Sequence, residues 1–170
     1  MTPIDEQIPI VKKIDQMLTE ARVILPGAQA LLGFQLAVVL TEPFDELPAV
    51  SKITHAAALG SIALATILLM APAAYHRIVY AGESSQRFHD LGSRFIMVAT
   101  LALALGLACD VYVVIAKIAA SSSLGLVAGG ITAVALVGLW HVSPLLVLRY
   151  NRTSGAPRSS KKRVAEERVG

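Results

Sequence analysis

Four stretches of the chain are apolar at position after position: about Val23 to Leu40, Ile53 to Tyr75, Leu91 to Ala116 and Leu124 to Leu148. None has the period-two alternation of a barrel strand. Each offers the roughly 20 residues a helix needs to cross a hydrocarbon core about 30 Å thick. Backbone amides in lipid must find partners inside the fold, so four spanning helices are predicted. Ahead of the first span the pattern changes. Ile10, Val11, Ile14, Leu18 and Ala21 recur at helical spacing, with Lys12, Lys13, Asp15, Gln16 and Glu20 filling the other positions. This predicts an amphipathic helix lying on the membrane surface and leading into the first span.

The expected architecture is therefore an all-α membrane protein in three parts. Residues 1–22 form an amphipathic segment, 23–149 a four-helix transmembrane domain, and 150–170 a polar tail rich in Arg, Lys, Ser and Gly that is expected to be disordered. The connections are short. Thr41 to Lys52 holds Pro43 and Pro48 as breakers, His76 to Asp90 suits a helical hairpin, and Lys117 to Ser123 is serine-rich. Pro26 falls in the first turns of its span, where it is tolerated, whereas Pro72 and Pro144 are expected to kink theirs.

Composition agrees with this picture. Of 170 residues, 55% are hydrophobic and only 16% charged, against about 25% charged in a soluble domain. A soluble domain and a disordered chain are excluded, and a single cysteine, Cys109, excludes a disulfide scaffold. Charge supplies an orientation. Thirteen Lys and Arg fall before the first span, between the second and third, or after the fourth, and only Lys52 and Lys117 fall on the other side. The positive-inside rule then places both termini in the cytoplasm. The polar N-terminus predicts no cleavable leader, so the first span is expected to act as the targeting signal. The Lys161-Lys162-Arg163 cluster is expected to lie against anionic headgroups rather than on nucleic acid.

Ionisable groups inside a span are costly and are read first as functional. Asp110 lies seven residues before Lys117, about 10 Å inside the outer end of the third span. It shares a helix face with Gly106, Ala102 or Leu103, and Ala99, small residues that favour helix packing. It is expected to point into protein or water, either as a proton or cation site or as a structural carboxylate paired with His55, Lys52 or Lys117. His55 begins the second span at a similar depth, and histidine is the side chain that ordinarily changes charge near neutral pH. Glu42, Asp45 and Glu46 would make the outer mouth acidic. Gln29 and Gln35 lie six residues apart in the first span, about 120° around the helix. They serve either as packing amides or as pore-lining ones, one facing within the chain and the other a subunit partner.

The inner ends carry a second group. Tyr75, His76 and Arg77 close the second span as interfacial anchors or as a cytoplasmic gate. Arg77 and Arg94 are candidate charge partners for Asp90 or Glu20. His89 opens the third span and His141 lies in the inner half of the fourth. Paired histidines at one depth can hold haem, but no cofactor and no metal is expected. Gly125 and Gly129 form a small-xxx-small pair in the fourth span. Nucleotide-binding loops, zinc-protease pairs and nucleophile elbows are absent, so an enzyme is not expected.

The run Leu25-Pro26-Gly27-Ala28-Gln29-Ala30-Leu31-Leu32-Gly33-Phe34-Gln35, the pair Pro43-Phe44, and Ala71-Pro72-Ala73-Ala74-Tyr75-His76-Arg77 resemble a family of small bacterial four-span membrane proteins of unknown function. Some of its members carry the label sodium:proton antiporter. The resemblance covers about Glu20 to Arg149 and implies a four-span topology in the bacterial inner membrane. The resulting expectation is a homo-oligomer that moves a small ion, channel-like or proton-coupled. The alternatives are a non-transporting scaffold or partner subunit and, third, a haem-bearing electron-transfer protein. Membrane lipids are the other expected partner.

Overall fold

The computed structural model describes residues 9–79 and 85–153, the side chains of 151–153 excepted. The elements are α1 (Ile10–Val39), the one-turn α2 (Glu42–Asp45), α3 (Ala49–Ile78), α4 (Gln86–Ile118), α5 (Ser122–Val137), a π-helical turn (Gly138–Val142) and α6 (Ser143–Thr153). No strand occurs among the described residues. Four helical stretches are long and apolar enough to cross a membrane: Ile10–Val39, Ala49–Ile78, Gln86–Ile118 and Ser122–Tyr150. The described residues divide into two compact units, with the boundary between Ala135 and Leu136.

In the first unit α1, α3 and α4 pack along seams of period 3.5. The buried positions of α3 are Ser51, His55, Ala58, Ile62, Ala65, Leu69 and Pro72, spaced alternately by four and three. Those of α1 include Ile14, Met17, Ala21, Ala28 and Gln35, and those of α4 include Phe88, Gly92, Ala99, Leu103, Gly106 and Val113. Such spacing keeps one stripe of each helix facing its neighbours along its whole length. Small residues let the backbones approach. A Cβ on Gly106 would lie 2.6 Å from Ile62 Cγ1 and 3.3 Å from the Ala58 carbonyl oxygen. The centre of the seam is apolar throughout, formed by Ala28, Ile62, Ala65, Leu69, Ala99 and Leu103.

Connections follow local chemistry. Pro43 sits in the first turn of α2 and Pro48 caps α3, two positions where a missing N–H costs nothing. Ser85 caps α4, its hydroxyl accepting from the Phe88 amide. The α4–α5 turn is a Schellman motif: Ala120 N–H donates to Lys117 O and Ser121 N–H to Ala116 O, with Ala120 at φ 49°. Beyond it, α5 meets α4 through two glycines. A Cβ on Gly125 would lie 2.8 Å from Tyr112 O, and one on Gly129 would lie 2.9 Å from Ala108 O. The remaining face of α5, with Leu126, Val127, Ile131 and Val134, is exposed.

The second unit holds the π turn and α6. Pro144 follows the π turn directly. A proline has no N–H and crowds the carbonyl four residues back, and the wider turn relieves both demands.

Several sequence expectations change. Residues 10–22 are not a separate surface helix but the N-terminal part of α1, which is continuous through Arg22 and Val23. Their apolar face is used within the chain, where Ile14 and Met17 close around Phe88 of α4. Pro26 accordingly lies well inside α1 rather than in its first turns. Much of the expected inner loop is helix, since α3 runs to Ile78 and α4 starts at Gln86. α3 is likewise continuous through the buried Pro72. Helix continues to Thr153, past the expected start of the tail. The Lys161-Lys162-Arg163 cluster and the rest of that tail lie outside the described residues.

Candidate functional site

The seams of α1, α3 and α4 stay apolar until they near the ends that carry the α1–α2 and α4–α5 turns. There the inward positions become Gln35, His55 and Asp110. Gln35 lies seven residues after Ala28, on the same stripe, and is buried. His55 is one seam position before Ala58 and is buried too. Asp110 follows Gly106 on its face and is half-buried.

The three side chains meet. Gln35 Nε2 donates to Asp110 Oδ1 at 2.9 Å and to Oδ2 at 2.8 Å. His55 Nε2 lies 3.1 Å from the main-chain oxygen of Gln35. A carbonyl only accepts, so that nitrogen carries the proton. The other nitrogen, Nδ1, lies 4.0 Å from Asp110 Oδ1. It is unprotonated in the neutral ring and gains a hydrogen only when the imidazole becomes cationic. At 4.0 Å the ring and the carboxylate are neighbours without a direct hydrogen bond. Gln35 Oε1 is buried without a partner among the described residues. The Phe44 ring, from α2, stands edge-on to His55 with centroids 5.2 Å apart and covers it.

The other expected site residues lie elsewhere. Gln29 is exposed on the outer side of α1 and does not join Gln35. Glu42, Asp45 and Glu46 are exposed around α2. The two lysines that were candidate partners for Asp110 are engaged there, Lys117 with Glu46 at 3.3 Å and Lys52 with the Asp45 carbonyl at 2.9 Å.

At the opposite end, the His76 ring packs on Phe88 at 5.0 Å and Tyr75 on Phe95 at 5.8 Å. His89 Nδ1 is 3.6 Å from Asp90. Asp90 also accepts from Gln86, and Glu20 accepts from Gln16. The expected network of Arg77 and Arg94 with Asp90 or Glu20 is not formed, and both arginines are exposed. His141 belongs to the π turn in the second unit. No group of three or more metal-ligating side chains occurs among the described residues.

The sequence reading missed the link between Gln35 and Asp110 and the cover that Phe44 gives His55. The first had a signal in the seven-residue step from Ala28 to Gln35. The second had none, because it depends on how α2 folds back.

Four apolar helical stretches and a polar cluster on three of them define a multi-pass helical membrane protein. The chain belongs to DUF6328, a family of unknown function whose model matches residues 10–144. No curated protein and no solved structure matches it.

Proposed function

We propose that this protein moves a small ion across the bacterial inner membrane by a proton-coupled route, as a homo-oligomer, and that Asp110 holds the coupling proton. The observation that carries this reading is the meeting of a carboxylate, an imidazole and an amide within three apolar helices, with His55 Nδ1 4.0 Å from Asp110 Oδ1, Gln35 Nε2 on both carboxylate oxygens, and Nε2 of the ring on the Gln35 carbonyl. Gln35 steadies the carboxylate, and its neutral amide can turn to accept from a protonated one. On the positive-inside argument both termini are cytoplasmic, and the cluster then faces the periplasmic end. The protein performs no covalent chemistry in this reading.

The test is flux in proteoliposomes under an imposed pH gradient. Asp110→Asn, shown to be folded by circular dichroism, is expected to abolish proton-coupled flux. Unchanged flux in that variant would remove Asp110 from the mechanism.

A second reading, a non-transporting partner subunit, is favoured by the seam below the cluster, where the buried positions Ala58, Ile62, Ala65, Ala99 and Leu103 are apolar. Wild-type protein without flux that co-purifies with one stoichiometric partner would favour it.

A further inference from the structure

Beside the polar cluster, and separate from it, the first unit carries a groove of about 520 Å³. Its walls are Val50 and Thr54 of α3, Cys109 and Tyr112 of α4, and Leu126 and Gly130 of α5. The groove follows from the way α5 is attached. Gly125 and Gly129 draw it against α4, while Gly130 faces open space, where an added Cβ would meet nothing within 4 Å.

Chemistry changes along the groove. Ser122 and Ser123 line one end, at the α4–α5 turn, and Ala133 lines the other. Between Ser122 and Ala133 the helix rises about 16 Å, close to the depth of one leaflet of a core about 30 Å thick. A smaller pocket of about 330 Å³ adjoins the hydroxyl end, lined by Ser51, Lys117, Ser121 and Ser122, so that Ser122 borders both. The Lys117 ammonium stands there, 3.3 Å from the Glu46 carboxylate. The two spaces together run from Lys117, which lines the smaller pocket and is paired with Glu46 beside it, through serine hydroxyls, to hydrocarbon. That is the order of groups in a zwitterionic phospholipid.

We propose that this groove binds one zwitterionic glycerophospholipid, with an acyl chain between α4 and α5 and the phosphate and ammonium of its headgroup at the Lys117–Glu46 pair. The volume lies within the range of specific small-molecule sites, about 300–1,000 Å³. The bound chain touches Cys109 and Thr54, the immediate neighbours of Asp110 and His55 in sequence. The site does not depend on the ion-moving reading and stands or falls separately from it.

The test uses the full chain in detergent, with palmitoyl-oleoyl phosphatidylethanolamine as probe and native mass spectrometry as readout. Wild type is expected to retain one lipid per chain. Gly130→Trp adds an indole at the groove wall, from a position whose Cβ has free space, and is expected to bind about tenfold more weakly. Val134→Trp adds the same bulk to an exposed position outside the groove and is expected to bind like wild type. Cys109, the only cysteine, gives an independent readout, since its alkylation by N-ethylmaleimide is expected to slow when the lipid is added. The proposal is overturned if wild type retains no lipid, if Gly130→Trp binds as well as Val134→Trp, or if the lipid leaves alkylation of Cys109 unchanged.

Discussion

Gln35 is where a single side chain decides most. Its amide gives both N–H contacts to the Asp110 carboxylate, and its carbonyl receives the His55 N–H. Replacing the side chain by leucine keeps the backbone contact and removes the amide. Hydrogen bonds between membrane helices are worth about 0.6–2 kcal/mol, so Gln35→Leu is expected to lower stability by about that much in detergent unfolding. The same substitution on an Asp110→Asn background is expected to cost less, and the double-mutant cycle isolates the pair. Equal costs on both backgrounds would mean that the two side chains do not stabilise one another. This interaction was only half legible in the sequence. Asp110 stood out because a carboxylate within an apolar run is costly, and its small-residue face was readable from Gly106 and Ala99. Gln35 was visible as a polar residue in a span, but its partner became apparent only once the α1 and α4 seams were aligned.

Helix attachment is set by glycines that are not interchangeable. At Gly129 an added methyl group meets main chain, Ala108 O at 2.9 Å, and the helix itself must retreat. At Gly92 the methyl group meets Met17 Sδ and Cε at 2.5 Å, the flexible end of a thioether that can swing aside. Gly129→Ala is therefore expected to destabilise by about 1–3 kcal/mol. Gly92→Ala is expected to stay within about 0.5 kcal/mol of wild type, because relief of glycine's helical entropy cost offsets the shift of Met17. Thermal unfolding of the two variants side by side checks the contrast, and equal losses would contradict it. Hydropathy located all four apolar stretches but made each helix too short, starting the first thirteen residues late and clipping the others at both ends. It reports where lipid is, whereas α1, α3 and α4 continue into polar sequence for as long as their seams have something to bury. Ile14, Met17 and Phe88 show this most clearly, since their apolar faces mimic a surface-seeking helix but are consumed by one another.

At the scale of the whole molecule, the uneven placement of Lys and Arg predicts that the two ends of the chain share a compartment and that the α1–α3 connection faces the other. A cysteine placed at exposed Glu42 on a Cys109→Ser background is expected to react with a membrane-impermeant maleimide added to whole cells. A cysteine at Thr2 is expected to react only after the membrane is opened. The reverse pattern would invert the topology, and with it the side from which Asp110 is reached.

The apolar seam beneath the cluster has an electrical consequence. Because the buried positions Ala58, Ile62, Ala65, Ala99 and Leu103 are apolar, that stretch has a low dielectric constant, and the larger part of a transmembrane voltage falls across it rather than above it. Asp110 lies about 10 Å below its end of α4, roughly a third of the hydrocarbon depth. A proton settling there from the nearer compartment crosses a comparable share of the field, about 0.8 kcal/mol for every 100 mV. Occupancy of the carboxyl group would then follow membrane energisation as well as acidity, making the residue a shallow voltmeter.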